Sequence, residues 1–427
     1  MRYTIEILFD KAQYKLSGFM SVENYDVDDN FLLFRLENNF ERNQLLYHKK
    51  DKGICIKKIL DSKMREIDYE ILQLECKRVF CKARTKSSKV YVQYDIPIKI
   101  LDGCIRLEDS VYGGLSCYPR LVNTKKIRRC CLDYEKGDYL LSIRVPNGCN
   151  VIASGVATKE LIGNEQIFHF KAQKACGIGL IVANNVDYMH EYYKGVFLGT
   201  WYFIAKQHRC DYLWAQKVQS ILKEGITYMI NVMGFFPCRK IMAGPGIPFF
   251  DGGYATENLI FINYGNDKEQ NKLNLQKIIL HELAHMYFGY YLNDDNYFGK
   301  CISKGLSMWF ERYISGTDYG EFYTFAENCL MKLKLYPICY YEQLTKNEQN
   351  WNQLFYHDLS YCMIQYIVHR LGEEVFFNKI RTILEKYVDR IMYVDDFVTE
   401  IGMEELTPFF VCEECKEIKY NIYNDML

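Results

Sequence analysis

The chain is poor in proline, almost neutral in charge and without a long apolar run, and each shortage removes a class of function. Only 8 of its 427 residues are proline, too few for a polyproline or linker-rich architecture, so packed domains are expected. The formal net charge is −1, which leaves no basic field to draw in nucleic acid or an anionic membrane surface. No stretch of about eighteen apolar residues occurs, so no transmembrane helix is expected. The opening MRYTIEILFDKAQ alternates as a strand does and lacks the unbroken apolar core of a signal peptide. Histidine is scarce as well, at 8 residues, so a pair of them at ligand spacing carries information.

What is present describes a folded chain with sizeable cores: 49% hydrophobic and 25% charged. Tyrosine is abundant, at 36 residues, which points to broad half-polar surfaces or grooves. The 17 cysteines are odd in number and follow no framework spacing. Without a secretion signal they read as reduced thiols, and a cytoplasmic location is expected. Cys412 and Cys415 form a C-x-x-C, read here as two unrelated thiols.

Residues 1–195 carry short alternating or β-branched runs (YTIEILF, FLLFRL, VYVQYDIPIKI, YLLSIRV, IFHFKA, IGLIVA) parted by turn formers such as PNG and IGN. That spacing predicts an antiparallel β-rich domain. From 196 the pattern changes. VFLGTWYFIA reads as one more strand, and Trp214, Val218, Ile221, Leu222, Met229 and Val232 follow at helical spacing with Gly234 as the stop. YATENLIFINY reads as a strand, and helices are expected over 273–292, 304–314, about 320–334, 359–371 and 373–387. The predicted class is α+β, with domains at 1–195 and 196–412 and a tail at 413–427.

The chemistry concentrates in HELAHMYFGYYLNDDNYFGKCISKGLSMWFE, residues 281–311. Histidines at i and i+4 on a helix share one face and can share one ion. Glu282 lies where a general base would meet a metal-bound water. His281 and His285 are therefore candidate zinc ligands and Glu282 a candidate base.

This stretch resembles the aminopeptidase N-type zinc peptidases, which are gluzincins with a thermolysin-like catalytic domain. Their pattern is HELAH-x-x-F-G, then a Glu ligand after eighteen intervening residues in an Asn-Glu-Gly-Phe-Ala segment. Here HELAHMYFG is present, but the residue after those eighteen is Lys304, and Gly305, Trp309 and Glu311 keep the family's flanking register. The resemblance implies that Tyr254, Ala255, Thr256, Glu257 and Asn258 stand where the family's substrate strand reads Gly-Ala-Met-Glu-Asn. Glu257 would pair with the free α-amino group of a peptide, with Tyr254, Ala255 and Asn258 beside it. It also implies an oxyanion-stabilising tyrosine, for which Tyr356 is the candidate and His357 or Tyr361 the alternatives. The large C-terminal helical domain of many relatives is absent from these 427 residues.

Lys304 leaves several arrangements open. Direct ligation requires a neutral amine, at a cost of roughly 4–5 kcal/mol near pH 7. The ammonium could instead take the metal's place, donating to His281, His285 and Glu282. Cys301 could substitute as a thiolate ligand, as could Asp294 or Asp295. Glu311 lies about 10 Å further along the helix and cannot simply replace the missing ligand. The last arrangement is a two-histidine site completed by water.

Two functions follow from these readings. The first is a zinc metallo-aminopeptidase-like protein that acts on or binds free peptide N-termini through a weakened zinc site. The second is an inactive pseudo-aminopeptidase that binds peptides or a protein partner through the same cleft. Neither needs nucleic acid or a membrane.

Overall fold

The computed structural model describes residues 1–406 except 11, 14, 26–30, 37–53, 74–78, 98–109, 114–117, 123–135, 184–185, 205–209, 247–251, 264–271, 295–298, 317–359 and 389. The expected helix at about 320–334, the C-x-x-C, Tyr356 and His357 lie outside the described residues.

The N-terminal part is built on a seven-stranded sheet. Its strands are β1 (Arg2–Asp10), β2 (Lys15–Glu23), β3 (Cys55–Leu60), β4 (Lys89–Pro97), β5 (Gly137–Pro146), β6 (Val156–Ile162) and β7 (Glu165–Ala175), in the order β6-β7-β5-β1-β2-β4-β3. All pairings are antiparallel except β1 with β5. Strict alternation buries Tyr3, Ile5, Ile7 and Phe9 from β1 and Tyr139, Leu141, Ile143 and Val145 from β5. Smaller sheets of four and three strands share this core.

A mixed five-stranded sheet follows: β8 (Val186–Tyr193), β9 (Val196–Phe203), β10 (Lys240–Pro245), β11 (Gly252–Thr256) and β12 (Leu259–Asn263), in the order β8-β9-β10-β12-β11. The expected division at 195/196 falls in the tight turn between β8 and β9, whose ends pair at Tyr193 and Val196. The sheet therefore takes a strand from each side of that division.

Period-two alternation gives this sheet two buried faces. Leu198, Ile241, Ala243, Ile260 and Ile262 pack against helices α1 (Tyr212–Met233) and α2 (Lys272–Ala284). Trp201, Met242, Leu259 and Phe261 pack the other way, against Ile152 and Ile181 of the N-terminal part. Both ends of α1 are set by its sequence. Asp211 caps the first turn by accepting from the Trp214 N–H, and Gly234 ends the helix at φ 85°.

The remaining described elements are α3 (Gly299–Ser315), α4 (Ser360–Leu371), α5 (Glu373–Tyr387) and α6 (Val394–Ile401). Trp309, 1% exposed, centres them: it stacks on Tyr313, meets Phe376 and Phe377 edge-on, and donates its indole N–H to Gln365. The architecture is thus a β-rich N-terminal part followed by a largely helical, thermolysin-like part. No large C-terminal helical domain stands among the described residues.

Two local readings are corrected. YATENLIFINY is a hairpin, not one strand: β11 turns into β12 at Glu257–Asn258, and Asn258 takes φ 63°. Asparagine tolerates that left-handed conformation because its short amide can bond locally. The helix expected over 273–292 ends at Ala284 and continues as irregular turns, with Gly289 at φ 122°. Glycine adopts that angle without the Cβ clash that bars other residues.

Candidate active site

α2 delivers the motif from its last turn. Leu275, Ile279 and Leu283 bury one stripe in the core, which turns His281, Glu282 and His285 toward α3. The two imidazoles meet edge to face with centroids 4.9 Å apart.

Each imidazole has one nitrogen committed behind it. His285 Nδ1 lies 3.0 Å from the Phe288 carbonyl and 3.1 Å from Ser307 Oγ. A carbonyl only accepts, so Nδ1 carries the proton and Nε2 is the ring's acceptor. His281 Nδ1 lies 3.2 Å from Glu311 Oε2. These are the supports that hold a metal-binding histidine in orientation. Sequence reasoning set Glu311 aside because it lies too far along the helix to replace a ligand. In the structure its role is different: it reaches His281 from behind.

α3 answers α2 residue by residue. Lys304, Ser307 and Glu311, at i, i+3 and i+7, share a face. Ser307 serves His285, Glu311 serves His281, and the Lys304 charge acts on Glu282. Burial pushes the Glu282 carboxyl up to about 7, against the opposing pull of Lys304 and of the Ala255 N–H. Burial likewise pushes Glu311 up to about 7, with Arg312 and Lys277 opposing. The buried Glu282 and the half-buried Glu311 therefore flank the imidazole pair, with the Lys304 charge acting on Glu282.

β11 closes the site from the sheet side. Gly253 lets the strand approach so closely that a Cβ there would lie 2.6 Å from Glu282 Cγ and 2.8 Å from Ile278 Cγ2. Ala255 faces Ile260 in the register, at the non-hydrogen-bonded position next to the tight turn. Its backbone groups therefore point outward: the N–H goes to Glu282, and the carbonyl accepts from the Tyr290 hydroxyl at 2.5 Å. Tyr254 points to the other face, tilted on Phe261 and 39% exposed.

Glu257 sits in the hairpin turn, half-buried, with Oε2 accepting from the Cys176 N–H at 3.2 Å. Burial pushes its carboxyl up to about 7, and the Cys176 bond and the Lys136 charge oppose the rise. Sequence reasoning missed both partners because they come from the distant β-rich part. Asn258 follows Glu257 in the turn. Tyr361, an alternative oxyanion residue, is 1% exposed on α4 with the Arg312 guanidinium 4.1 Å over its ring. Cys301 lies on α3, but its side chain is outside the described residues.

Zinc is the cofactor such a histidine pair implies. Two oriented imidazoles fit half of a zinc site. Among the described residues, however, no group of three or more His, Cys, Asp or Glu converges on a point that could hold a metal ion. The described donors do not fit a closed three-ligand site.

Residues 253–417 match the Peptidase family M1 domain. Aminopeptidase B of Rattus norvegicus is 25% identical over 170 residues, covering 35% of this chain and 24% of that protein. Aminopeptidase B of Homo sapiens is 24% identical over 174 residues, covering 36% of this chain and 25% of that protein. The match thus spans about a quarter of these relatives' length. Among solved structures, the M1 zinc metallopeptidase from Deinococcus radiodurans superposes with a TM-score of 0.61 at 13% identity, covering 99% of this chain and 93% of that one. A mutant of that protein bound to a Tyr-Ser-Ala substrate gives a TM-score of 0.61 at 12% identity, with the same coverage. At such identities the likeness shows the fold. Together the matches show a likeness to the Peptidase family M1 domain over residues 253–417 and the fold of the M1 zinc metallopeptidase from Deinococcus radiodurans.

Proposed function

We propose that this chain recognises the free N-terminus of a peptide in an aminopeptidase-type cleft, and that Lys304 weakens its zinc site so that hydrolysis is slow or absent. The observation that carries this reading is the α3 face that presents Ser307 to His285 and Glu311 to His281, because Lys304 shares that face at the position where the family resemblance implies a carboxylate ligand. A dication at the imidazole pair would face an ammonium instead of a third anionic donor, which raises the cost of binding it. Glu257 is the amine partner, Glu282 the base of any residual activity, and Tyr356 the oxyanion candidate. A thiolate at Cys301 is the route by which a metal could regain a third ligand.

The second reading, a pseudo-aminopeptidase, draws on the same residue. If the Lys304 ammonium stands in for the metal, it neutralises Glu282 and keeps the imidazoles hydrogen-bonded, and the cleft works by binding alone. Peptide N-termini are the expected ligands in both cases, and we place the protein in the cytoplasm from its many thiols. No helix among the described residues is long and apolar enough to cross a membrane.

Binding of a short peptide with a free amine, set against its N-acetylated twin, tests the shared part. The free form should bind at least ten-fold more tightly. Equal binding would remove Glu257 from the amine role.

A further inference from the structure

The end of the seven-stranded sheet meets Glu257 and the turn after the histidine pair. β5 and β7 are antiparallel neighbours with Gly137 opposite Ala175. The residues just beyond that pair, Lys136 and Cys176, therefore leave the sheet side by side. Cys176 donates its N–H to Glu257, and its thiol lies 3.8 Å from the Tyr290 carbonyl and 4.0 Å from that of Gly289. Lys136 Nζ donates to the Tyr291 carbonyl at 2.7 Å and to the Val388 carbonyl at 2.8 Å, with the ammonium 5.9 Å from the Tyr291 ring centroid. Val388 caps the C-terminal end of α5, where a cation is favoured by the helix dipole. The Gly289–Tyr291 turn, four to six residues after His285, is thus clasped by the end of a rigid sheet.

We propose that Lys136 is a positioning residue for Glu257 and for the turn that follows the histidine pair, acting from the N-terminal part of the chain. Its described contacts are the Tyr291 and Val388 carbonyls and the Tyr291 ring, not the imidazoles. It acts through its charge on Glu257 and through its two carbonyl anchors. Among the described residues the Cys238 thiol and the Tyr290 hydroxyl also interact with Glu257, and burial raises both well above their usual ranges. Both stay neutral around pH 7, so among the described residues Lys136 is the cation acting on Glu257. The consequence is that the amine site exists only when the two parts of the chain are docked.

This inference rests on Glu257 being the amine partner, and the experiment separates the two. Binding of a free-amine peptide and of its N-acetyl twin is measured from pH 6 to 8.5 for wild type, Lys136→Gln, Lys136→Met and Lys136→Arg. The glutamine keeps a donor, the methionine keeps the apolar stem, and neither keeps the charge, so either one that folds is informative. Without the charge, free-amine binding should weaken by about three- to ten-fold at pH 6.5 and by less at pH 8, with Arg restoring the wild-type profile. A neutral variant with the wild-type pH profile and an intact amine preference overturns the role of Lys136 alone. Loss of the amine preference in wild type itself overturns the Glu257 reading and this inference with it.

Discussion

Replacing Glu257 with glutamine should weaken binding and strengthen the fold, and both effects follow from one displaced proton. Burial raises the carboxyl from 4.5 to about 7. The ionised fraction in the folded protein therefore climbs from roughly a tenth at pH 6 to roughly nine tenths at pH 8. A peptide α-amine titrates near 7.7–8.0, so affinity for a free N-terminus should peak at about pH 7.5. It should fall roughly six-fold toward pH 6, where an ordinary carboxylate would still be charged. Glu257→Gln should remove that acid limb and cost about 1.5–3 kcal/mol of binding at the optimum, the range for a hydrogen bond to a charged group.

The stability effect runs the other way. A carboxyl whose folded-state pKa is raised contributes stability that is full below pH 4.5 and lost as pH rises through about 7. The uncorrected cost above that window is about 3 kcal/mol, and partial exposure reduces it to about 2 kcal/mol. Glu257→Gln should therefore melt several degrees above wild type at pH 8 and level with it at pH 4. Calorimetric titration with the free-amine peptide and thermal melts at both pH values check the pair of effects. An acid limb that persists in the variant, or a melting temperature lowered equally at both pH values, would show that the Glu257 proton governs neither effect.

Three further outcomes are expected. Gly253→Ala should destabilise the protein by about 1–3 kcal/mol, read as a lower melting temperature, because the added Cβ must displace Glu282 and Ile278. In a Lys304→Glu background, Glu311→Ala should lower zinc affinity by about 10- to 100-fold, read by chelator competition, since Glu311 orients His281. Cys301→Ser should abolish any zinc that wild type retains; an unchanged zinc content would dismiss the thiolate as the replacement ligand.

The sequence was most readable where local chemistry decides the structure. HELAH on an amphipathic helix, the Gly234 stop and α5 at 373–387 all follow from residue spacing within a few turns. The hairpin at Glu257–Asn258 was concealed because an apolar run broken by two polar residues looks like one continuous strand. The end of α2 carried a usable signal in Gly289 that the apolar pattern through Leu292 masked. Glu311, Lys136 and Cys176 were illegible for a different reason. Glu311 meets His281 across a helix pair, and the bond from Cys176 spans 81 residues to reach Glu257. No local pattern encodes contacts that only the docking of two separate layers creates. That Lys304 stands where the resemblance implies a Glu ligand is readable by counting alone, but that its charge acts on Glu282 needs the packing of α3 on α2.

The effect of Lys304 on zinc is read most directly from metal content. Protein stripped of metal is dialysed against zinc, and zinc per chain is measured for wild type beside Lys304→Glu. Well under one zinc is expected in wild type and close to one in the variant, where the introduced carboxylate would join His281 and His285. One tightly held zinc in wild type, unaffected by the substitution, would contradict that expectation.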